Sequence, residues 1–203
     1  MKPGLMNTKR FFYNLWHSLQ DIFVGRVKRI FLHSHKTFNM TKAQVLADTL
    51  DKTRQLTKFY LSKLKGVNPE ESINLNGYET NCIYWIAAHL IWAEDYLGII
   101  ELGGNSTVPD WVKKFAIKSD GELPEDRPDF KTVLDELKRV HEATVNHIGS
   151  LTDEQLDEQN VTGFHFGDGN ATKLMMIQHC IRHEGTHLGQ LSLLAKIYGQ
   201  QTV

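Results

Sequence analysis

"NCIYWIAAHLIWAEDYLGII", residues 81–100, is apolar on nearly every side of the helix it would form. A surface helix carries one apolar stripe, whereas a helix that is apolar all round is buried. The stretch therefore predicts the most buried helix of the chain, over about residues 79–102, ended by Gly103 and Gly104. His89 stands in its middle, with Trp85 one turn before it and Trp92 one turn after. A buried imidazole needs a partner for both ring nitrogens, so His89 asks for an explanation.

Helical periodicity continues on either side of this stretch. Thr41 and Gln44 have the spacing of a capping box, which opens a first helix stopped by Gly66. Val45, Leu46, Leu50, Leu56, Tyr60 and Leu61 are read as its apolar face. A third helix starts at Pro128 or Asp129 and runs its apolar face through Val133, Leu134, Leu137, Val140 and Ile148. Thr144 falls on that face, where a larger apolar residue is expected. Residues 151–160 give one short helical turn, and Thr172 caps a fourth helix that reaches Ile197 and stops at Gly199. No stretch has the alternation of a β-strand. Residues 103–128 hold three prolines and no sustained period, and a connection of that length is usually functional or a crossover. The expected fold is all-α: a four-helix bundle whose long crossover between helices two and three can set those two parallel.

The chain has 203 residues, enough for one domain with a real core and some chain to spare. The net charge of −1 gives no reason to expect nucleic acid. Charge is uneven, however, with seven Lys or Arg and one acid in the first 40 residues. There Phe12, Leu15, Trp16, Leu19, Phe23, Val27 and Ile30 recur every three or four positions among the basic residues. The chain thus divides into a basic amphipathic N-terminal helix, residues 1–40, and a bundle domain, residues 41–203. The first segment suits weak contact with an anionic membrane surface, packing on the bundle, or a presequence, and Met40 is an alternative start of translation. No stretch approaches the roughly 18 apolar residues of a membrane span, and the N-terminus lacks the pattern of a secretory signal. Two cysteines, Cys82 and Cys180, are too few for a disulfide framework. Both are read as small core residues, and a reducing, cytoplasmic setting is expected.

The fourth helix carries His179, His183 and His187, each four residues after the last. Residues at i and i+4 share a helix face about 6 Å apart along the axis, so two imidazoles can converge on one ion. Either adjacent pair satisfies this, whereas His179 and His187 lie about 12 Å apart, too far for all three to reach one ion. His89, on a facing helix, supplies a third ligand to whichever pair is used. Three neutral ligands leave a coordination position open, as catalytic metal sites do. Loss of metal is expected near pH 6, where an ordinary imidazole takes up its proton.

"NCIYWIAAHLIWAE" followed by "HCIRHEGTHLGQLSLLAKIYG" resembles the DinB-like superfamily of four-helix-bundle metalloproteins, over roughly residues 41–199. The strongest part is "HEGTHLGQ", an H-x-x-x-H-x-G-Q block. The resemblance implies that the metal histidines are His89, His183 and His187. It leaves His179 as a packed core residue more readily than a cavity wall. Leu188 departs from the family, which often has a basic residue before the glycine. The resemblance also implies a divalent metal, with zinc, nickel and iron not distinguished, and a low-molecular-weight thiol as co-substrate. The expected activity is a metal-dependent S-transferase acting on a small electrophile. A non-catalytic metal-binding or stress-response protein and a metal-dependent hydrolase are the alternatives, and a homodimer is compatible with all three.

Trp92, Tyr96, Trp111 and Phe115 are the aromatics able to wall a pocket near such an ion, although Trp92 and Tyr96 read first as bundle core. Other chemistries find little support, since the chain has no G-x-S-x-G, no P-loop and no C-x-x-C. "HEGTH" does match the H-E-x-x-H of metalloproteases, in which Glu184 would be the general base.

Overall fold

The first helix, α1 (Lys42–Lys63), begins with the expected capping box. The Thr41 hydroxyl accepts from the Gln44 N–H at 3.2 Å, and the Gln44 side chain accepts from the Thr41 N–H at 3.0 Å. The structure is a computed structural model that describes residues 40–119, 121–165 and 171–202. The basic amphipathic helix expected before Met40 lies outside the described residues. The buried side of α1 runs through Ala43, Ala47, Leu50, Arg54, Thr57 and Tyr60. This corrects the sequence reading: Val45 and Leu56 are half exposed, at 50% and 48%. Arg54 and Thr57 occupy two core positions because neighbouring helices bring carboxylates to meet them, and hydrophobicity alone passes over such residues.

A small hairpin follows, β1 (Asn74–Leu75) and β2 (Tyr78–Glu79), paired antiparallel with Asn74 opposite Glu79. The expectation of no strand is corrected here. Asn76 and Gly77 take φ of 54° and 93°, the positive pair that a two-residue hairpin turn requires. Two-residue strands are too short for alternation to show. The hairpin also moves the start of the second helix. Instead of beginning near Glu79, α2 spans Ile83–Gly98, capped by Cys82, whose sulfur accepts from the Trp85 N–H at 3.4 Å. Residues Ile100–Leu102 continue as a 3-10 turn. All of α2 except Trp92 and Tyr96 is buried, as its composition demands.

The remaining helices are α3 (Phe130–Gly149), the one-turn α4 (Asp153–Leu156) and α5 (Lys173–Ile197). In the bundle, α1 and α2 each pack against both α3 and α5. Helix direction follows from named contacts. Tyr84, early in α2, donates to the Pro128 carbonyl just before α3, and Gly98, at the end of α2, lies against Thr144 and Ile148 late in α3. The second and third bundle helices are therefore parallel, and the long connection between them is a crossover. That connection is tied back to α2 through buried Asp95, which accepts from Ser106 Oγ at 2.7 Å and the Thr107 N–H at 3.3 Å. Its 3-10 turn, Asp110–Phe115, packs on α2 and buries Val112 and Phe115. With α3, α5 and the crossover all against it, α2 has little surface left for water.

Thr144 is explained by the same packing. A Cβ on Gly98 would overlap the Thr144 methyl, so α2 and α3 approach too closely for a larger residue at either position. Among the described residues, no helix is long and apolar enough to cross a membrane.

Candidate metal centre

Helices α2 and α5 bring His89, His183 and His187 together, with candidate ligand atoms all within 4.8 Å of one another. Ring centroids lie 5.1 Å apart for His89 and His183, 4.9 Å for His89 and His187, and 4.6 Å for His183 and His187. The His89 and His183 Nε2 atoms face each other at 3.2 Å. His179 is one turn too far along α5 to join them. Its ring stands 5.8 Å from that of His183.

The outer nitrogens are held by groups to which the sequence reading assigned no role. A carbonyl only accepts, so His89 Nδ1–H donates to the Phe115 carbonyl, at 2.6 Å. His187 Nδ1–H donates to Gln190 Oε1 at 2.7 Å. In a neutral imidazole the proton on Nδ1 leaves the lone pair on Nε2. Both rings are thus fixed in the tautomer that presents Nε2 inward, the arrangement by which outer hydrogen bonds orient metal-binding histidines. Gln190 was legible, one turn after His187 in the quoted block. The Phe115 carbonyl was not, because nothing in a sequence marks a backbone oxygen.

Burial sets the charge of the cluster. Desolvation, against the pull of the Phe115 carbonyl, lowers the His89 pKa to about 4. Burial and then the neighbouring histidines lower that of His183 to about 3. Burial lowers His187 as well. Two imidazoles with inward Nε2 lone pairs and a third neutral ring, His183, facing them are a donor set that a borderline divalent ion takes, so these residues fit such an ion. They also stay neutral to lower pH than the ordinary value near 6 assumed from the sequence.

A cavity of about 420 Å³ adjoins His89 and His183. Its walls include Trp92, Tyr96, Phe164 and His179, with Lys118 at the rim. Trp92 and Tyr96 stack with centroids 5.3 Å apart and planes at 7°. Three expectations change here. Trp92 and Tyr96 line the cavity instead of filling the core. His179 is a half-buried wall residue and not a packed one. Phe115 contributes its carbonyl while its ring is buried in the bundle, and Trp111 packs edge-on against that ring, outside the cavity lining. A slightly larger apolar groove, about 480 Å³ between α1 and α3, carries no histidine, cysteine or acid and has no part in this chemistry.

Glu184 does not face the cluster. It is buried on the α1 side, where its two oxygens accept from Arg54 at 2.7 and 2.8 Å and from the Thr57 hydroxyl at 2.6 Å. A general base must reach the reacting proton, so the metalloprotease reading of "HEGTH" has no geometric support. Neither cysteine belongs to the cluster. Cys82 caps α2, and Cys180 is fully buried with its thiol pushed well up by desolvation. Leu188, where the family often has a basic residue, packs against the core.

A helix-two histidine facing an H-x-x-x-H pair across a bundle with a crossover is the arrangement that the sequence resemblance led us to expect. The family model of the DinB superfamily matches residues 49–191, which include all three histidines. The chain belongs to the DinB superfamily. A search of curated proteins finds no match to it. Family membership and the histidine cluster together describe a DinB-superfamily bundle with a group of side chains able to hold a metal ion.

Proposed function

We propose that this DinB-superfamily protein binds a divalent metal through His89, His183 and His187 and acts as a thiol S-transferase on a small apolar electrophile. The observation that carries this reading is the aromatic cavity, about 420 Å³, opening directly beside the histidine cluster. Its volume falls in the range of small-molecule sites, roughly 300–1,000 Å³. A divalent ion in such a site supplies Lewis acidity, which lowers the pKa of a thiol so that thiolate is available near neutral pH.

The chain's own residues do the rest. The Phe115 carbonyl and Gln190 hold His89 and His187 in the ligand tautomer. Trp92, Tyr96 and Phe164 give flat apolar walls that exclude water and hold an electrophilic carbon against the cluster. In the overall reaction a sulfur–carbon bond forms, the leaving group departs with the electron pair of its bond to carbon, and the thiol proton passes to solvent. The two cysteines are buried and unpaired, in keeping with a reducing cytoplasm and with a nucleophile that comes from outside the chain.

The test is to add physiological low-molecular-weight thiols to the cobalt-substituted protein. A sulfur-to-metal charge-transfer band is expected, together with conjugation to a small aromatic electrophile that stops on chelation. A conjugation rate indifferent to chelator rejects the mechanism. No spectral response to any thiol turns the reading toward hydrolysis or toward metal binding without catalysis.

A further inference from the structure

The most unusual group in the bundle is a charged residue that hydropathy would place on the surface. Arg54 of α1 is fully buried, and its guanidinium bridges two carboxylates on two different helices. Nη2 donates to Glu94 Oε2 of α2 at 2.7 Å and to Glu184 Oε2 of α5 at 2.8 Å, while Nε donates to Glu184 Oε1 at 2.7 Å. Nη1 donates to the Leu137 carbonyl of α3 at 3.2 Å. Thr57, one turn along α1, adds its hydroxyl to Glu184 Oε1 at 2.6 Å. From the far side, His141 Nδ1 of α3 donates to Glu94 Oε1 at 2.6 Å. Burial works against the guanidinium charge, but Glu184 and Glu94 outweigh it and raise the Arg54 pKa.

The two helices that Arg54 joins are the two that carry the histidines. Glu184 follows His183 directly and precedes His187 by three residues, so fixing its side chain toward α1 fixes the rotation of α5 that turns both histidines toward α2. Glu94 lies five residues after His89 on α2, so the same guanidinium also sets how far α2 stands from α5. An apolar contact would not do this as well, because apolar side chains slide and repack at small cost, whereas a forked, charge-assisted pair holds one geometry. Buried ion pairs contribute little net stability over well-packed apolar residues. Their geometry is what they add here.

We infer that Arg54, with Thr57, is a positioning residue for the histidine cluster: by holding Glu184 of α5 and Glu94 of α2 it sets the rotation and spacing of the two ligand-bearing helices. This rests on the metal reading of His89, His183 and His187, but its effect on the imidazoles themselves does not require metal.

The test compares Arg54→Met, Thr57→Val and Thr57→Ser in the full chain, with helicity measured by circular dichroism. Thr57→Val removes one hydroxyl at constant shape and keeps the protein testable if Arg54→Met, which takes the guanidinium away from two buried carboxylates, fails to fold. Metal affinity is read by competition with a chromophoric chelator, and imidazole ¹⁵N resonances are read in the metal-free protein. Outer hydrogen-bond partners of metal ligands typically affect affinity by about 10–100-fold. Thr57→Val is expected to weaken binding by roughly tenfold and to move the His183 and His187 resonances, with Thr57→Ser restoring both. Arg54→Met, where folded, should do more. Variants that lower the melting temperature but leave affinity and resonances unchanged overturn the inference. A wild-type protein that binds no metal rejects the metal reading alone, because the metal-free resonances still decide whether the clamp orients the histidines.

Discussion

His89 of α2 and His183 of α5 meet Nε2 to Nε2 at 3.2 Å, with the Phe115 carbonyl fixing the first ring from behind. Two unprotonated nitrogens at that separation repel unless something positive lies between them or one ring carries its proton there. Burial lowers both pKa values, so both rings stay neutral, and a proton on His183 Nε2 would be donated to the lone pair of His89 Nε2. A metal ion would take the place of that one proton, with His183 changing tautomer to offer its own lone pair.

Ligand variants should separate the four histidines. His89→Ala, His183→Ala and His187→Ala are each expected to lose the single bound ion, while His179→Ala keeps it, since His179 stands on the cavity wall one turn away. Metal analysis of the purified variants checks this. An empty site in His179→Ala beside a full one in His187→Ala would place the ligand register one turn earlier on α5.

The pH response follows from the lowered pKa values. His89 at about 4 and His183 at about 3 lie below the ordinary 6.5 of an unfolded histidine, so the unfolded chain takes up protons first as pH falls. Their contribution to stability is complete above pH 6.5 and is lost progressively between about 6.5 and 3–4. Metal should accordingly stay bound at pH 5, where an exposed histidine site would already release it. Metal content after dialysis at stepped pH, with melting temperatures of the chelated protein, gives both curves. Release near pH 6 would mean that the imidazoles are solvated.

The close crossing of α2 and α3 predicts a coupled pair. Gly98→Ala puts a methyl into the Thr144 side chain, and overpacking of this kind costs about 1–3 kcal/mol. Thr144→Ala removes the obstructing methyl, so the double variant should regain much of the loss. Among the described residues the buried Thr144 Oγ1 has no hydrogen-bond partner, so Thr144→Val should be neutral or stabilising. Chemical denaturation of the three single variants and the double variant measures the coupling. Simple additivity would show that the helices separate to accommodate the added methyl.

The cysteines should be dispensable for activity. Cys82→Ser keeps an acceptor at the start of α2, where Ser is a preferred cap, and should fold at least as well. Cys180→Ala leaves a small cavity in the core with a modest stability loss. Both variants should keep metal and thiol transfer, read by the conjugation assay under saturating metal. Loss of transfer in either one, with metal retained, would make a protein thiol the nucleophile.

The helical architecture was legible in the chain's local pattern, because apolar periodicity and capping residues act over a few positions. Thr41, Asp129 and Thr172 each cap the helix they were read to start, and α2 is buried as its composition demanded. The three histidines were legible too, since i, i+4 spacing on a helix is equally local; the family resemblance chose His183 and His187 over His179. Long-range packing supplied what local pattern cannot carry. Arg54 reads as a surface residue until Glu94 and Glu184, 40 and 130 residues away, arrive to neutralise it. Trp92, Tyr96 and His179 became cavity walls because Ile117 and Lys118 of the crossover and Phe164, all distant in sequence, close the same cavity around them. The Phe115 carbonyl reached His89 through the path of the crossover, a backbone group that no side-chain pattern encodes. Burial of polar groups depends on partners distant in the chain, and only the packed bundle brings those partners together.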